Sequence, residues 1–110
     1  MDVNRDELVI DEAGTLDVWL DEDSEADPGH RACGYTVRAL DGALVTKKEV
    51  RTTVPRVREF TWRLLKGLER EPESYGHQTW TWAQLHRRGI REARQRVEDE
   101  LFPPAHDAED

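Results

Sequence analysis

The chain has 110 residues, 36% of them apolar and 36% charged, and a formal net charge of −8. That length suits one domain with a lean core, filled out by four Trp, two Phe and two Tyr. A single cysteine, Cys33, excludes an internal disulfide and most cysteine-built metal sites. The opening MDVNRDELVIDEAG lacks the cationic start and apolar run of a secretion signal. No stretch approaches the ~20 apolar residues of a membrane span, so a cytoplasmic location and no membrane partner are expected.

Residues 1–14 read as an acidic N-terminal segment with room for a short strand at 7–11, broken by Ala13-Gly14. From residue 15 to 21 the chain alternates, with Leu16, Val18 and Leu20 on one face and Asp17, Trp19 and Asp21 on the other, as a half-buried strand requires. A polar loop, 22–31, contains Asp27-Pro28-Gly29. Two further alternating runs, 32–40 and 43–51, flank Asp41-Gly42, a pair that tolerates positive φ and marks a hairpin. Val57, Phe60, Thr61, Leu64 and Leu68 then fall at helical spacing, with Pro55 suited to the first turn and Glu71-Pro72 ending the helix. Residues 78–80 or 78–82 read as a short strand. Thr81 with Gln84 has the spacing of a capping box. The stripe Trp82, Leu85, Ile90, Ala93, Val97 and Leu101 predicts a second helix, with a kink or close contact at Gly89. Pro103-Pro104 ends it, and 103–110 reads as a disordered acidic tail. The expected fold class is α+β, an antiparallel sheet of three to four strands packed against two helices within one domain over 15–102.

The charges are sorted along the chain. Residues 1–30 carry a net −10, residues 31–96 a net +8 and residues 97–110 a net −6. Sorted charge of this kind implies separate acidic and basic territories on the surface, which choose and steer partners.

In their order the pieces resemble the ribonuclease H-like fold. DVWLDEDSEADPGHRACGY is similar to that family's opening strand, which ends in an acid and runs through a Pro-Gly loop to a Gly-Tyr. CGYTVRALDGALVTKKEVRTT resembles the second and third strands, VREFTWRLLKGLE the following helix, and WAQLHRRGI the end of the fourth strand. The resemblance implies two Mg²⁺ ions held by four carboxylates, one activating water and one steadying the leaving oxygen. Asp21 stands in the first acid's place and Glu59 in the second by spacing. Trp82 or Ala83 occupies the third, and the fourth has no counterpart, so catalysis of this type is expected to be missing.

Other constellations are thinner. His77 and His86 lie nine apart without zinc-ligand spacing, and His30 and His106 are isolated. Cys33 pairs with a histidine only as a weak nucleophile candidate, since a lone strand cysteine is usually a small buried hydrophobe. Trp80 and Trp82 offer stacking or anchoring surfaces. Arg87, Arg91 and Arg94 align along one side of the last helix, where they either contact phosphates or are neutralised by the chain's own acids.

The first functional expectation is a small, acidic, non-catalytic binding protein of the inhibitor, immunity or anti-defence kind. It would occupy a basic site on another protein through Asp17, Trp19, Asp21, Glu22, Asp23 and Glu25. The alternative is a nucleic-acid-binding module using Lys47, Lys48, Arg51, Arg87, Arg91 and Arg94, together with Arg56 and Arg58. A third is a Mg²⁺-dependent nuclease using Asp21 and Glu59; only that reading requires a cofactor. An edge strand and exposed Trp leave a homodimer open.

Overall fold

A computed structural model describes residues 3–11, 14–21 and 29–103 of the chain. Four strands, β1 (Val3–Asp11), β2 (Gly14–Asp21), β3 (Arg31–Ala39) and β4 (Leu44–Thr52), form one antiparallel sheet in the order β1-β2-β3-β4. Three helices follow: α1 (Val57–Arg70), α2 (His77–Leu85) and α3 (Arg87–Leu101), with a short 3₁₀ turn at Pro72–Tyr75. The fold is α+β, as expected, with one more helix than the sequence predicts.

Alternation places the strands. Leu16, Val18 and Leu20 point inward from β2 and are fully buried. Leu16 lies opposite Leu8 of β1 and Val37 of β3, and Leu20 lies opposite Cys33. The expected strand at 7–11 is longer, Val3–Asp11, and it is an edge of the sheet whose Leu8 and Ile10 enter the core. The hairpin closes on Asp41-Gly42, with Gly42 at φ +85°. Its amide donates to the Ala39 carbonyl over 2.9 Å, and the Ala43 amide donates to Asp41 Oδ1 over 2.9 Å.

The helices cover only one face of this sheet. α1 buries Phe60, Thr61, Leu64, Leu65 and Leu68, at the spacing its sequence predicts, and ends at Arg70 before Glu71-Pro72. It begins at Val57, two residues after Pro55. The second half departs from expectation. Residues 78–82 are helical, within α2, and Thr81 does not cap a helix; its hydroxyl donates to the His77 carbonyl one turn back, over 3.0 Å. Thr79, Trp82 and Ala83 are buried at helical spacing, a pattern that three residues around two Trp mimic as strand alternation. The break between α2 and α3 falls at His86, not Gly89. Leu85, expected in the stripe, is 76% exposed. Gly89 instead marks a close approach. A Cβ built there would lie 2.1 Å from the Ile10 carbonyl oxygen, so α3 packs its backbone directly on β1.

Candidate functional site

The face of the sheet opposite the helices is uncovered by any described element, and β2 sends Asp17, Trp19 and Asp21 toward it. Trp19 lies opposite Arg5 on β1 and Gly34 on β3. Its indole rests on Gly34, where an added Cβ would come within 2.6 Å of Trp19 Nε1 and within 2.6 Å of the Lys48 carbonyl oxygen. Gly34 therefore forms a seat that holds the ring flat over the sheet. Around it is a shallow depression of about 380 Å³ lined by Arg5, Trp19, Thr36, Lys47, Lys48 and Glu49. Arg5 Nη1 lies 3.5 Å from Asp17 Oδ2, both groups well exposed, a pair that contributes under about 1 kcal/mol. Asp21 continues the same alternation to the end of β2, and Arg51 that of β4. Thus Trp19 of the expected protein-docking set and Lys47 of the expected nucleic-acid set share one face, while Lys48 contributes its backbone carbonyl there and pairs with the inward-facing Tyr35. Glu22, Asp23 and Glu25 lie outside the described residues.

The remaining nucleic-acid candidates lie elsewhere. Arg87, Arg91 and Arg94 line a groove of about 330 Å³ between α1 and α3, joined there by Lys66, Arg70 and the acids Glu69 and Glu98. The six expected cations therefore do not share one surface. Arg58 is not free either, being tied to Asp6 and Glu100.

Glu69 organises the groove. Its Oε2 accepts from Arg91 Nε over 3.1 Å and its Oε1 from Arg94 Nε over 2.9 Å, while Arg94 Nη1 also donates to Glu98 Oε1 over 3.0 Å. The hydrogen bond from Arg94, against some opposing desolvation and with help from Arg91, holds the Glu69 carboxyl below the usual Glu range. A carboxyl depressed in this way stabilises the fold above its unfolded pKa, and that contribution disappears as pH falls through the lower folded value. Wild type should therefore lose its stability advantage over Glu69→Gln as pH drops below about 4, while keeping it at pH 6. Urea midpoints of the two proteins at matched pH measure this.

These pairs also correct the expected charge map. Acidic and basic side chains are interleaved across the helical layer, because segments of opposite sign fold against each other: Asp6 with Arg58, Glu69 with Arg91 and Arg94. The runs of sign in the sequence do not become territories in space there.

Asp21 and Glu59 are not brought together. Asp21 belongs to the open face, whereas Glu59 sits on α1 over the opposite face, 4.0 Å from Arg56 Nη2. Among the described residues no three of His, Cys, Asp and Glu converge as metal ligands would. Cys33 is buried, its thiol pushed up to about 11 by desolvation. Its Sγ contacts the Val50 carbonyl at 3.5 Å rather than a histidine.

One pairing was not legible in the sequence. His86 Nδ1 lies 2.8 Å from Asp11 Oδ2, and its ring lies 4.9 Å from that of Trp82, tilted 50° to it. The pair borders a depression walled by Leu44, Val45, Trp82 and Leu85. Thr81, the hydroxyl in that wall, donates to the His77 carbonyl over 3.0 Å. The only hint in sequence was the buried spacing Thr79, Trp82, Ala83, His86.

Comparison with models of protein families, with curated protein sequences and with solved structures yields no match to this chain. Among the described residues no helix is long and apolar enough to cross a membrane.

Proposed function

We propose that the chain is a small non-catalytic binding protein that docks on another protein through the open face of its sheet, with Trp19 as the anchor. The observation that carries this reading is the uncovered face with an indole seated on Gly34. A Trp presented on a rigid sheet loses little conformational freedom on binding and offers a large apolar area, which is why such residues dominate interface energetics. Charge around the ring is mixed, with Arg5 opposite Trp19 on β1, Asp17 and Asp21 along β2, and Lys47, Glu49 and Arg51 alternating along the same face of β4. A partner basic where it meets Asp17 and Asp21 of β2 would be oriented by that pattern. A cytoplasmic site of action belongs to the same proposal and accords with one buried cysteine in no disulfide.

The experiment is capture from a nuclease-treated lysate on the immobilised chain at low salt, followed by mass spectrometry. The expected result is a basic protein retained by wild type. Its affinity should fall roughly 30-fold or more for Trp19→Ala, the loss typical of a central aromatic anchor. It should also fall for Asp21→Lys, with unchanged thermal melts for both variants. Capture of nucleic acid alone before nuclease treatment, and of no protein after it, sinks the reading.

A further inference from the structure

The groove between α1 and α3 carries more positive charge than its own acids neutralise. Five cations line it, Lys66 and Arg70 from α1 and Arg87, Arg91 and Arg94 from α3, against two carboxylates, Glu69 and Glu98. The donors are unevenly committed. Arg94 is the most committed, giving Nε to Glu69 and Nη1 to Glu98 and Gln95, with its side chain 20% exposed. Arg91 gives only Nε to Glu69, so its two terminal nitrogens keep their donors, and the side chain is 62% exposed. Arg87 reaches only the Gln84 side-chain oxygen, over 3.1 Å. Arg70 pairs with no carboxylate among the described residues. Lys66 stands 4.3 Å over the Trp62 ring, which fixes its position without neutralising it.

We infer that this groove binds the sugar–phosphate backbone of nucleic acid, independently of sequence and separately from the open face of the sheet. Glu69 acts as a positioning residue. By gripping Arg91 through Nε it aims the terminal nitrogens outward in a fixed fork, the geometry that suits phosphate oxygens. Two cations one helical turn apart on each wall, Lys66 with Arg70 and Arg87 with Arg91, flank the trough lengthwise. That arrangement fits a run of phosphates better than a single anion. No aromatic ring stands among the lining residues, so there is nothing for bases to stack on, and contact is confined to the backbone.

The test uses the full chain, a fluorescent DNA duplex and anisotropy at several salt concentrations. Four phosphate contacts give a slope of log K against log salt of about −3.6, and a loss of roughly a hundredfold between 50 and 200 mM salt. Arg87→Ala with Arg91→Ala should flatten the slope by about two units. Glu69→Gln removes a negative charge from the groove yet loosens the grip on Arg91, so weaker binding with a slope changed by less than in the arginine pair marks positioning, and binding as tight as or tighter than wild type overturns the positioning role of Glu69. Lys47→Ala with Lys48→Ala, on the sheet, should change neither. The inference fails if the duplex does not bind at 50 mM salt, or if the slope is insensitive to the α3 pair but sensitive to the β4 pair. It also fails if millimolar inorganic phosphate displaces the duplex, which would mark a single-anion site. Anionic vesicles retained as strongly as the duplex, with the same dependence on Arg87 and Arg91, would overturn nucleic acid as the occupant. Because the groove variants leave Trp19 untouched, failure here is distinguishable from failure of protein docking.

Discussion

Gly89→Ala is expected to destabilise the protein by about 2–3 kcal/mol, although alanine is the better helix former. In an open helix the change would gain roughly 1 kcal/mol. Here the new methyl carbon would stand 2.1 Å from the Ile10 carbonyl oxygen and 2.8 Å from its carbon. Neither atom can swing aside, because both belong to the backbone of β1, so α3 must retreat from the sheet. Forcing an extra carbon into a packed contact costs on the order of 1–3 kcal/mol, occasionally more, and the retreat also loosens Ile90, Ala93 and Val97, all fully buried. Gly67→Ala supplies the comparison. There the obstacle is the Tyr75 hydroxyl, at 1.9 Å from the added carbon, which is the far end of a side chain that can rotate. Its loss should be smaller. Urea denaturation of both variants decides the matter, and equal losses would show that backbone proximity at Ile10 is not the cause.

Arg58→Ala should cost about 2 kcal/mol, far more than an ordinary surface ion pair. The Arg58 Nη1 donates to both carboxylate oxygens of Asp6, over 2.7 and 2.9 Å, and Nε and Nη2 grip Glu100, each over 2.9 Å. One guanidinium thus ties β1, α1 and α3. Exposed pairs contribute little, but the Asp6 side chain is only 13% exposed. Removing Arg58 leaves that carboxylate poorly solvated and unpaired by its main partner. The loss in deeply buried cases is 3–5 kcal/mol, and partial solvent access lowers it here. Arg58→Lys should recover little, since an ammonium cannot serve two carboxylates with a planar fork. Arg58→Met combined with Asp6→Asn should be less costly than Arg58→Ala alone, because no charge is then stranded. Thermal and urea unfolding of the set measure the ordering; a loss for Arg58→Ala within 0.5 kcal/mol, the usual range for surface changes, would refute it.

The sheet and α1 could be read from sequence because their signals are local. Alternation assigned the inward faces of β2 and β3, and Asp41-Gly42 fixed the hairpin register that sets Thr36 opposite Lys47. What local patterning could not supply was contact between distant segments. Lys66 and Arg70 join Arg87 and Arg91 only because α1 and α3 lie side by side, and nothing in the spacing of either helix announces the other. The turn at His86 has the same origin: Asp11, 75 residues away, holds its imidazole. The expectation of separate charge territories failed because it treated neighbours in sequence as neighbours in space. The placing of Trp19 in one row with Glu49 and next to the row of Lys47 was derivable in principle, by carrying the hairpin register across β3 to β2.

The order of the strands has a consequence for how the molecule comes into being. In a meander each strand finds its partner as soon as the next emerges from the ribosome, so β1 to β4 can associate during synthesis. The inner side of β1 is closed by α3, through Gly89 on Ile10 and Arg58 between Asp6 and Glu100. Until α3 is translated, Ile10 lacks the helix backbone that packs on it at Gly89, and only α1 reaches the inner side of β1. α3 is thus the latch of the nascent chain, and a ribosome stalled before residue 87 would display a sheet with one sticky flank, a ready substrate for chaperones.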